Sequence, residues 1–395
     1  MPLTNKTVGV FFGGKGPEHD ISVVTGLLVL DELSKMGIAT VPVYISIDGA
    51  WCVGEAFRSR DFMQGIHQRD LYEYQRWSID TRHRSPQLIL TRRPHFFARR
   101  ERITMDIAFP AFHGAYGEDG SFQGMCEILG VPYVGSGVTG CSLSMSKALT
   151  KRLFQSMNMP TTPFISFSAR EWEENKRELL LSAGKLTYPL FVKPVHAGSS
   201  IGITRVEKAD NLESSVDLAL GFDTHCLIEE GVPGVRDVTC CVRERPDGSL
   251  QASFLQESRF DGSDFFSYEE KYLKGGGAQF GNATQRIIIP AELPQEIASQ
   301  TTEASIRIFR TFQLSGTGRV DFLFNPASGE LYANEINPMP GTLYHHLWKE
   351  SGVDTPSLLE GLLLAALRMY TQTRKKNTYF PSSLLTELKG GRLSK

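Results

Sequence analysis

The sequence lacks the features that mark membrane, exported and nucleic-acid-binding proteins. Its 395 residues contain no apolar run of the ~20 residues that a transmembrane helix needs. Residues 1–7 have neither the basic region nor the apolar segment of an export signal. The net charge is only −2, which gives no overall reason to expect nucleic acid or an anionic membrane as partner. We therefore expect a cytoplasmic protein whose partners are small molecules.

Cysteine motifs and two common nucleotide motifs are also missing. The six cysteines show no metal-ligand spacing and lie in apolar surroundings, so we interpret them as reduced core residues. The glycine-rich segment 13–16 lacks the complete dinucleotide-binding spacing. The segment 196–203 lacks the Gly-Lys-Ser/Thr ending of a Walker A loop, which disfavours a P-loop NTPase.

What is present indicates an α/β protein. The chain is 41% hydrophobic and 22% charged, and it is long enough for two or three domains. An apolar run at residues 8–12 precedes a glycine-rich loop and a helical pattern that opens at Ser22, which is the order strand, loop, helix. The loop contains Glu18 and follows the carboxyl end of the strand, where such sheets bind ligands.

A stretch near the C-terminal end predicts a β-hairpin with a polar face. Residues 319–324 and 331–337 alternate like strands, and the segment between them has turn composition. Side chains two apart share a face, which groups Arg319 with Asp321 and Glu335 with Asn337. Oxygen ligands of this kind suit Mg²⁺ bound together with substrate phosphates. The alternative is an ordinary solvent-facing strand pair.

Other segments support a nucleotide site less directly. A strand at residues 188–193 ends at Lys193 and precedes a Gly/Ser loop whose backbone N–H groups could hold phosphates, although a plain hairpin would also fit. A helix predicted over residues 143–157 carries Lys147. Residues 273–289, rich in glycine at their start, predict a mobile lid. Residues 48–105 are irregular and basic. We interpret the arginines at 92–102 as the solvated surface of an exposed hairpin rather than a nucleic-acid patch.

Six segments occur together in an order that is typical of one family. They are FFGGKGPEHDIS (11–22), HGAYGEDG with QGMCEILGVPYVGSG (113–137), MSKALTKRL (145–153), FVKPVHAGSSIG (191–202), YEEKY (268–272), and GRVDF with NEINPMPG (318–341). In these segments the chain resembles the D-alanine:D-alanine ligases of the ATP-grasp superfamily. The resemblance implies an α/β ATP-grasp fold with an N-terminal doubly wound domain. The expected parts are residues 1–140, 141–232 and 233–375, followed by a tail at 376–395.

The resemblance also implies a role for particular residues, with ATP held between the central and C-terminal parts. The implied ATP-binding residues are Lys147, Lys193, Ser200, Glu229, Glu230, Val232, Asp237 and Lys271. The implied metal ligands, for two Mg²⁺ ions or Mn²⁺ in their place, are Asp321, Glu335 and Asn337. The implied catalytic residues are Glu18, Ser199, Tyr272, Arg319 and Gly341, and His113 is placed beside the first substrate.

The chemistry implied by the resemblance has two steps. The carboxylate of one amino acid takes the γ-phosphate of ATP, and the amine of a second amino acid then displaces phosphate from the acylphosphate. The commonest family activity makes D-alanyl-D-alanine for peptidoglycan, in a protein that we expect to be a homodimer.

This chain departs from the family pattern after Gly341, where the following segment is shorter and lacks the usual serine. Thr342 could supply that hydroxyl, or the acceptor could be another amino acid, giving a heterodipeptide. Tyr272 disfavours a hydroxy acid as acceptor. A catalytically inactive nucleotide-binding protein is a further alternative, and the presence of Arg319 disfavours it because this charge acts only on the transition state.

Overall fold

The computed structural model describes residues 3–82, 86–93, 98–259, 287–377 and 380–382. Lys271, Tyr272 and most of the lid predicted at 273–289 therefore lie outside the described residues, as does most of the tail predicted at 376–395.

The N-terminal part contains a mostly parallel sheet beside a smaller antiparallel one. Its elements are β1 (Thr7–Gly13), α1 (His19–Lys35), β2 (Ala39–Ile45), β3 (Trp51–Val53), α2 (Arg60–Met63), β4 (Ser78–Ile79), β5 (Leu88–Arg92), β6 (Glu101–Met105), β7 (Ile107–Pro110) and α3 (Ser121–Leu129). The first sheet has the order β3-β2-β1-β7, and β4, β5 and β6 form the second. Strands β5 and β6 pair as a hairpin, as predicted. The additional elements β3, α2 and β4 make residues 48–105 more regular than predicted.

Helix α1 begins three residues earlier than the sequence pattern predicts. Ser22 lies inside the first turn and is fully buried. Its hydroxyl accepts a hydrogen bond from Gly13 N at 2.8 Å and donates to Ala111 O at 2.8 Å. The serine therefore ties the end of β1 to the segment after β7, instead of capping the helix.

The central part has an antiparallel sheet of order β10-β9-β11-β8. Its elements are α4 (Val138–Met145), α5 (Lys147–Ser156), β8 (Phe164–Ser168), α6 (Ala169–Ala183), β9 (Leu190–Pro194), β10 (Thr204–Val206), α7 (Leu212–Leu220) and β11 (His225–Glu230). The single helix predicted over 143–157 is wrong, since Ser146 is extended and separates two helices. The break lets Lys147 N donate to Val195 O at 3.1 Å, which places Lys147 beside the Gly/Ser loop.

The C-terminal part has a second antiparallel sheet, of order β14-β13-β12-β15-β16. Its elements are β12 (Arg236–Glu244), β13 (Leu250–Ser258), β14 (Ile287–Ile288), α8 (Gln295–Thr311), β15 (Thr317–Asn325), β16 (Glu330–Asn337), α9 (His345–Glu350) and α10 (Thr355–Arg374). Strands β15 and β16 are antiparallel neighbours, which confirms the predicted hairpin.

The C-terminal helices share a hydrophobic core with the N-terminal sheet. Trp348, Leu359 and Leu362 are almost fully buried in the same cluster as Val8 and Val10 of β1. The end of the chain therefore packs against its beginning, across the boundaries predicted at 140 and 232, and those boundaries stay a prediction. Among the described residues, no helix combines the length and the apolar character needed to cross a bilayer.

Candidate active site

One cavity lies where the three larger sheets meet. It receives side chains from the loops after β1 and β7, from β9 and β11, and from β12, β15 and β16. The predicted site residues that line it are Glu18, His113, Lys147, Lys193, Ser199, Ser200, Glu229, Glu230, Val232, Asp237, Arg319, Asp321, Glu335, Asn337 and Gly341. Of the predicted site residues that the structure describes, Thr342 alone does not line the cavity.

The hairpin presents its four polar side chains on one face, as predicted. Arg319 pairs across the strands with Asn337, and Asp321 pairs with Glu335. The Arg319 guanidinium holds Asp321 through Nε at 3.0 Å and Nη2 at 2.7 Å. The side chains of Arg319 and Asp321 are only 12% and 9% exposed, so this face is not an ordinary solvated strand pair.

The oxygen atoms on this face fit a hard divalent cation. Thr239 donates to Asp321 at 2.8 Å and Asn337 donates to the same carboxylate at 3.3 Å, which fixes its orientation. Glu335 faces the cavity, with Lys147 Nζ 3.6 Å from its carboxylate. Two carboxylates and a carboxamide that open on a cavity are the donors that Mg²⁺ uses alongside substrate phosphates.

A tyrosine that the sequence analysis did not identify lies under Arg319. The guanidinium carbon is 4.9 Å from the centre of the Tyr344 ring, within the range of a cation–π interaction. The Tyr344 hydroxyl accepts a hydrogen bond from Gln256, 3.2 Å away. The Gln256 carbonyl in turn accepts from His346 Nε2 at 2.8 Å. Gln256 and Tyr344 line the cavity. The contacts from His346 through Gln256 to Tyr344 fix the position of the ring against which the Arg319 guanidinium packs.

Burial also affects the ionisation of His346. It lowers the pKa of this imidazole to about 4, and the charges of His345 and Arg319 act in the same direction. The neutral ring must carry its proton on Nε2, since the Gln256 oxygen can only accept.

The short segment after Gly341 has an unusual backbone. Thr342, Leu343 and Tyr344 have φ values of 48°, 57° and 51°, a left-handed region that L-residues rarely enter. Such residues cost about 1–3 kcal/mol each and persist only where packing holds them. Here Leu343 is fully buried, and Thr342 N donates to Thr25 Oγ1 at 3.0 Å. The turn therefore places the Tyr344 ring under Arg319 at the expense of backbone strain.

The predicted contact from Thr342 to a second substrate is at odds with this arrangement. The Thr342 side chain is buried, and its hydroxyl donates to Gly341 O at 2.8 Å. The left-handed turn directs this oxygen to the backbone instead of the cavity.

A buried ion-pair cluster forms another wall of the cavity. Glu229 contacts Lys151 at 2.6 Å and also forms an ion pair with Lys193. Burial alone would raise the pKa of the Glu229 carboxyl, but the two ammonium groups outweigh it and hold the pKa well below its usual range. Lys151 also donates to Thr162 at 2.7 Å and is nearly inaccessible. Its helical position gave no sign of this role, since its ion-pair partner Glu229 lies on β11, far along the chain.

The first predicted substrate subsite is assembled as a hydrogen-bonded pair. The Ser199 hydroxyl donates to the Glu18 carboxylate, which joins the loop after β1 to the Gly/Ser loop. Burial raises the pKa of Glu18, and the nearby Glu118 adds to this shift. A Cβ atom at Gly198 would lie 2.8 Å from a Glu18 oxygen, so any larger residue there would displace the carboxylate. His113 lies beside this pair, 3.7 Å from Glu118.

Two family profiles match the chain. Residues 7–136 match the D-ala D-ala ligase N-terminus, and residues 153–364 match the D-ala D-ala ligase C-terminus. The chain belongs to the D-Ala-D-Ala ligase family. This confirms the predicted fold class, an N-terminal α/β domain followed by an ATP-grasp part, and ATP with a divalent metal is what the family uses.

Similar proteins cover nearly the whole length of this ligase. The D-alanine--D-alanine ligase of Natranaerobius thermophilus is 32% identical over 383 residues, which is 95% of this chain and 99% of the relative. That of Kineococcus radiotolerans is 34% identical over 379 residues, 93% of this chain and 98% of the relative.

Solved structures agree in fold. The D-alanine-D-alanine ligase from Coxiella burnetii has a TM-score of 0.75 at 24% identity and covers 94% of this chain and 96% of its own. The VanG D-Ala:D-Ser ligase from Enterococcus faecalis has a TM-score of 0.73 at 28% identity and covers 92% of this chain and 99% of its own. Relatives of this fold thus include one that is named for a different second substrate.

We predict that Lys151→Met destabilises the protein, because Glu229 would keep only one of its two cationic partners in a buried site. Breaking a buried ion pair costs about 3–5 kcal/mol. Chemical denaturation of the variant should show this loss, whereas Arg152→Met, the exposed neighbour on α5, should change stability by less than about 0.5 kcal/mol. Equal effects of the two substitutions would contradict the ion-pair account.

We also predict that His346 makes the protein less stable in mild acid. Its folded pKa of about 4 is below the ordinary value of 6.5, so between these values the unfolded chain binds a proton that the folded chain does not. The contribution of this residue to the free energy of unfolding is therefore fully present above pH 6.5 and decreases as the pH falls towards 4. The loss is about 2–3 kcal/mol at pH 4.5. Thermal melts should show a smaller acid-induced decrease for His346→Gln than for the unmodified protein. The exposed His67→Gln should behave like the unmodified protein, and identical pH profiles for all three would contradict this assignment.

Proposed function

We propose that the protein uses ATP to join two D-alanines into D-alanyl-D-alanine for peptidoglycan. The observation that carries the proposal is the shared cavity. Its hairpin face, Lys193 and the Glu18–Ser199 pair open onto one space, where a nucleotide phosphate and an amino acid could meet. The names of the relatives from Natranaerobius thermophilus and Kineococcus radiotolerans agree with this activity.

In the first step, the carboxylate of one D-alanine attacks the γ-phosphate of ATP. A new carboxyl oxygen–phosphorus bond forms, and the bond to ADP breaks. Lys193, Arg319 and Lys271 would offset the negative charge that spreads over the transferring group. Bound Mg²⁺, held by Asp321, Glu335 and Asn337, would supply further charge neutralisation on the phosphates.

In the second step, the amine of the other D-alanine attacks the acyl carbon. The carbon–nitrogen bond forms, the bond to phosphate breaks, and the proton lost by the attacking amine passes to the leaving phosphate. Arg319 and the backbone N–H of Gly341 would stabilise the oxyanion that develops on the way. The Tyr344 ring would keep the guanidinium aimed at this position through its cation–π contact with Arg319.

The remaining side chains would bind and orient the substrates. Glu18 and Ser199, together with Tyr272, would orient the first D-alanine, with His113 beside it. Lys147, Lys193 and the backbone near Ser200 would hold the phosphates. Glu229, Glu230 and Val232 would follow the adenine, and Asp237 would approach the ribose.

A second candidate function differs only in the acceptor amino acid. The buried, backbone-bonded hydroxyl of Thr342 leaves the usual acceptor contact without a replacement from this segment. Gln256 and Ser258 are polar residues that line the cavity with Tyr344. They would be available to hydrogen-bond the side chain of a different acceptor amino acid. D-Serine is the acceptor to compare first, because VanG is named as a D-Ala:D-Ser ligase. The homodimer and the cytoplasmic location stay predictions.

We predict that Arg319→Ala lowers kcat at least about 100-fold while the Kd of an ATP analogue changes much less, because this charge acts mainly on groups that develop in the transition state. Steady-state kinetics and analogue binding measure the two effects. Arg319→Lys is the matched control, since it keeps the charge and loses the two-point contact with Asp321. Equal losses in kcat and in nucleotide affinity would contradict the assigned role.

Product analysis tests the choice of acceptor. We expect an equimolar mixture of D-alanine, D-serine and L-amino acids, incubated with ATP and Mg²⁺, to give mainly D-alanyl-D-alanine by mass spectrometry. A dominant heterodipeptide would favour the second candidate. Absence of both dipeptide and released phosphate would contradict ligase activity and favour an inactive nucleotide-binding protein.

A further inference from the structure

Three side chains outside the active-site cavity form a compact group with metal-ligand chemistry. His196, Asp223 and His225 each offer one ligand atom, and these atoms all lie within 4.8 Å of one another. His196 Nδ1 is 3.0 Å from Asp223 Oδ2. The two imidazole rings meet edge to face with their centres 5.6 Å apart. No residue of this group belongs to the predicted ATP, substrate or Mg²⁺ sites.

The central sheet fixes the positions of the three residues. His196 comes two residues after the end of β9, and His225 is the first residue of β11, which is the antiparallel neighbour of β9. Val195 N donates to His225 O at 3.1 Å, so the backbone holds the two histidines side by side. Asp223 lies in the connection between α7 and β11.

Backbone hydrogen bonds hold the carboxylate in place. Asp223 accepts a hydrogen bond from His196 N at 2.6 Å and another from His225 N at 3.3 Å. Its side chain is only 8% exposed, whereas that of His196 is 43% exposed. Contacts of this kind orient a metal ligand and raise the affinity of a site. The exposed histidine leaves room for water as a further ligand.

We propose that His196, Asp223 and His225 form a site for a divalent transition-metal ion, with Zn²⁺ as the ion to test first. Zn²⁺ binds imidazole nitrogen and carboxylate oxygen at about 2.0–2.2 Å, which puts neighbouring ligands of a tetrahedral ion about 3.4 Å apart. The 3.0 Å spacing of His196 and Asp223 requires only a small adjustment. Two histidines with one carboxylate disfavour Mg²⁺, which prefers oxygen ligands.

A second histidine group in the chain is a poorer candidate and provides an internal control. His19, Asp20 and His67 also lie within 4.8 Å of one another. However, His19 is buried, and both of its nitrogens are already bonded, Nδ1 to Gly14 O at 2.7 Å and Nε2 to the Tyr44 hydroxyl at 3.0 Å. An ion there would have to break a buried hydrogen bond, which costs about 1–3 kcal/mol.

The proposed site adjoins the Gly/Ser loop of the active site. Ala197, the residue after His196, accepts a hydrogen bond from Lys147 Nζ at 2.8 Å, and residues 197–200 line the cavity. The site shares no ligand with Asp321, Glu335 or Asn337. Zn²⁺ bound at His196 and Mg²⁺ bound on the hairpin face should therefore not compete.

The test is a Zn²⁺ titration of the full chain, after metal removal with a chelator, in the presence of saturating Mg²⁺. We expect one Zn²⁺ bound per chain by calorimetry, and Co²⁺ in its place should give the visible absorption of a site with nitrogen ligands. His225→Gln removes one ligand from an exposed position and should weaken Zn²⁺ binding at least about tenfold. His67→Gln should bind Zn²⁺ like the unmodified protein.

Three outcomes would overturn the proposal. They are absence of Zn²⁺ binding, loss of binding in His67→Gln instead of His225→Gln, and displacement of Zn²⁺ by excess Mg²⁺, which would place the ion on the hairpin face. Circular dichroism of His225→Gln guards against misfolding as the cause of lost binding. His196→Gln, which removes a different ligand, should give the same loss.

Discussion

The active-site cavity depends on charge compensation inside a largely buried space. An unpaired buried ion costs several kcal/mol, so each charge near the cavity needs a partner that the fold supplies. Arg319 is paired with Asp321 on one strand, and Glu229 is paired with Lys151 and Lys193 on the opposite wall. The protein therefore presents fixed charges to the reacting groups. Charges that are already oriented stabilise the charge that develops in the transition state.

The rest of the structure serves to bring these pairs together. The walls come from two antiparallel sheets and from loops of the N-terminal sheet, and the C-terminal helices pack into the N-terminal core. The strained turn at residues 342–344 links this packing to the site, since it places the Tyr344 ring under Arg319. A shorter segment after Gly341 is thus accommodated by a left-handed backbone, and the Thr342 hydroxyl that sequence comparison suggested for the acceptor is turned to the backbone.

The sequence predicted those features that depend on local pattern or on the order of the family's motifs. The alternation of polar and apolar residues indicated the hairpin and the shared face of Arg319 and Asp321, because side chains on a strand repeat with a period of two. This pattern could not indicate the roles of Lys151 and Tyr344. Those roles depend on contacts with Glu229 and Arg319, which lie on other elements of the fold. The helix break at Ser146 has a local signal that was missed, since the Ser146 hydroxyl caps α5 by accepting a hydrogen bond from Leu149 N. The bond from Lys147 N to Val195 O, which joins two elements, has no such signal.

The most direct test of the hairpin as the metal–nucleotide face is the effect of Mg²⁺ on binding of a non-hydrolysable ATP analogue. The account predicts that Mg²⁺ strengthens binding to the unmodified protein and that Glu335→Gln loses most of this effect. Glu330→Gln, at the exposed start of the same strand, is the matched control and should retain it. An unchanged Mg²⁺ dependence in Glu335→Gln would contradict the assignment of this face to the metal–nucleotide site.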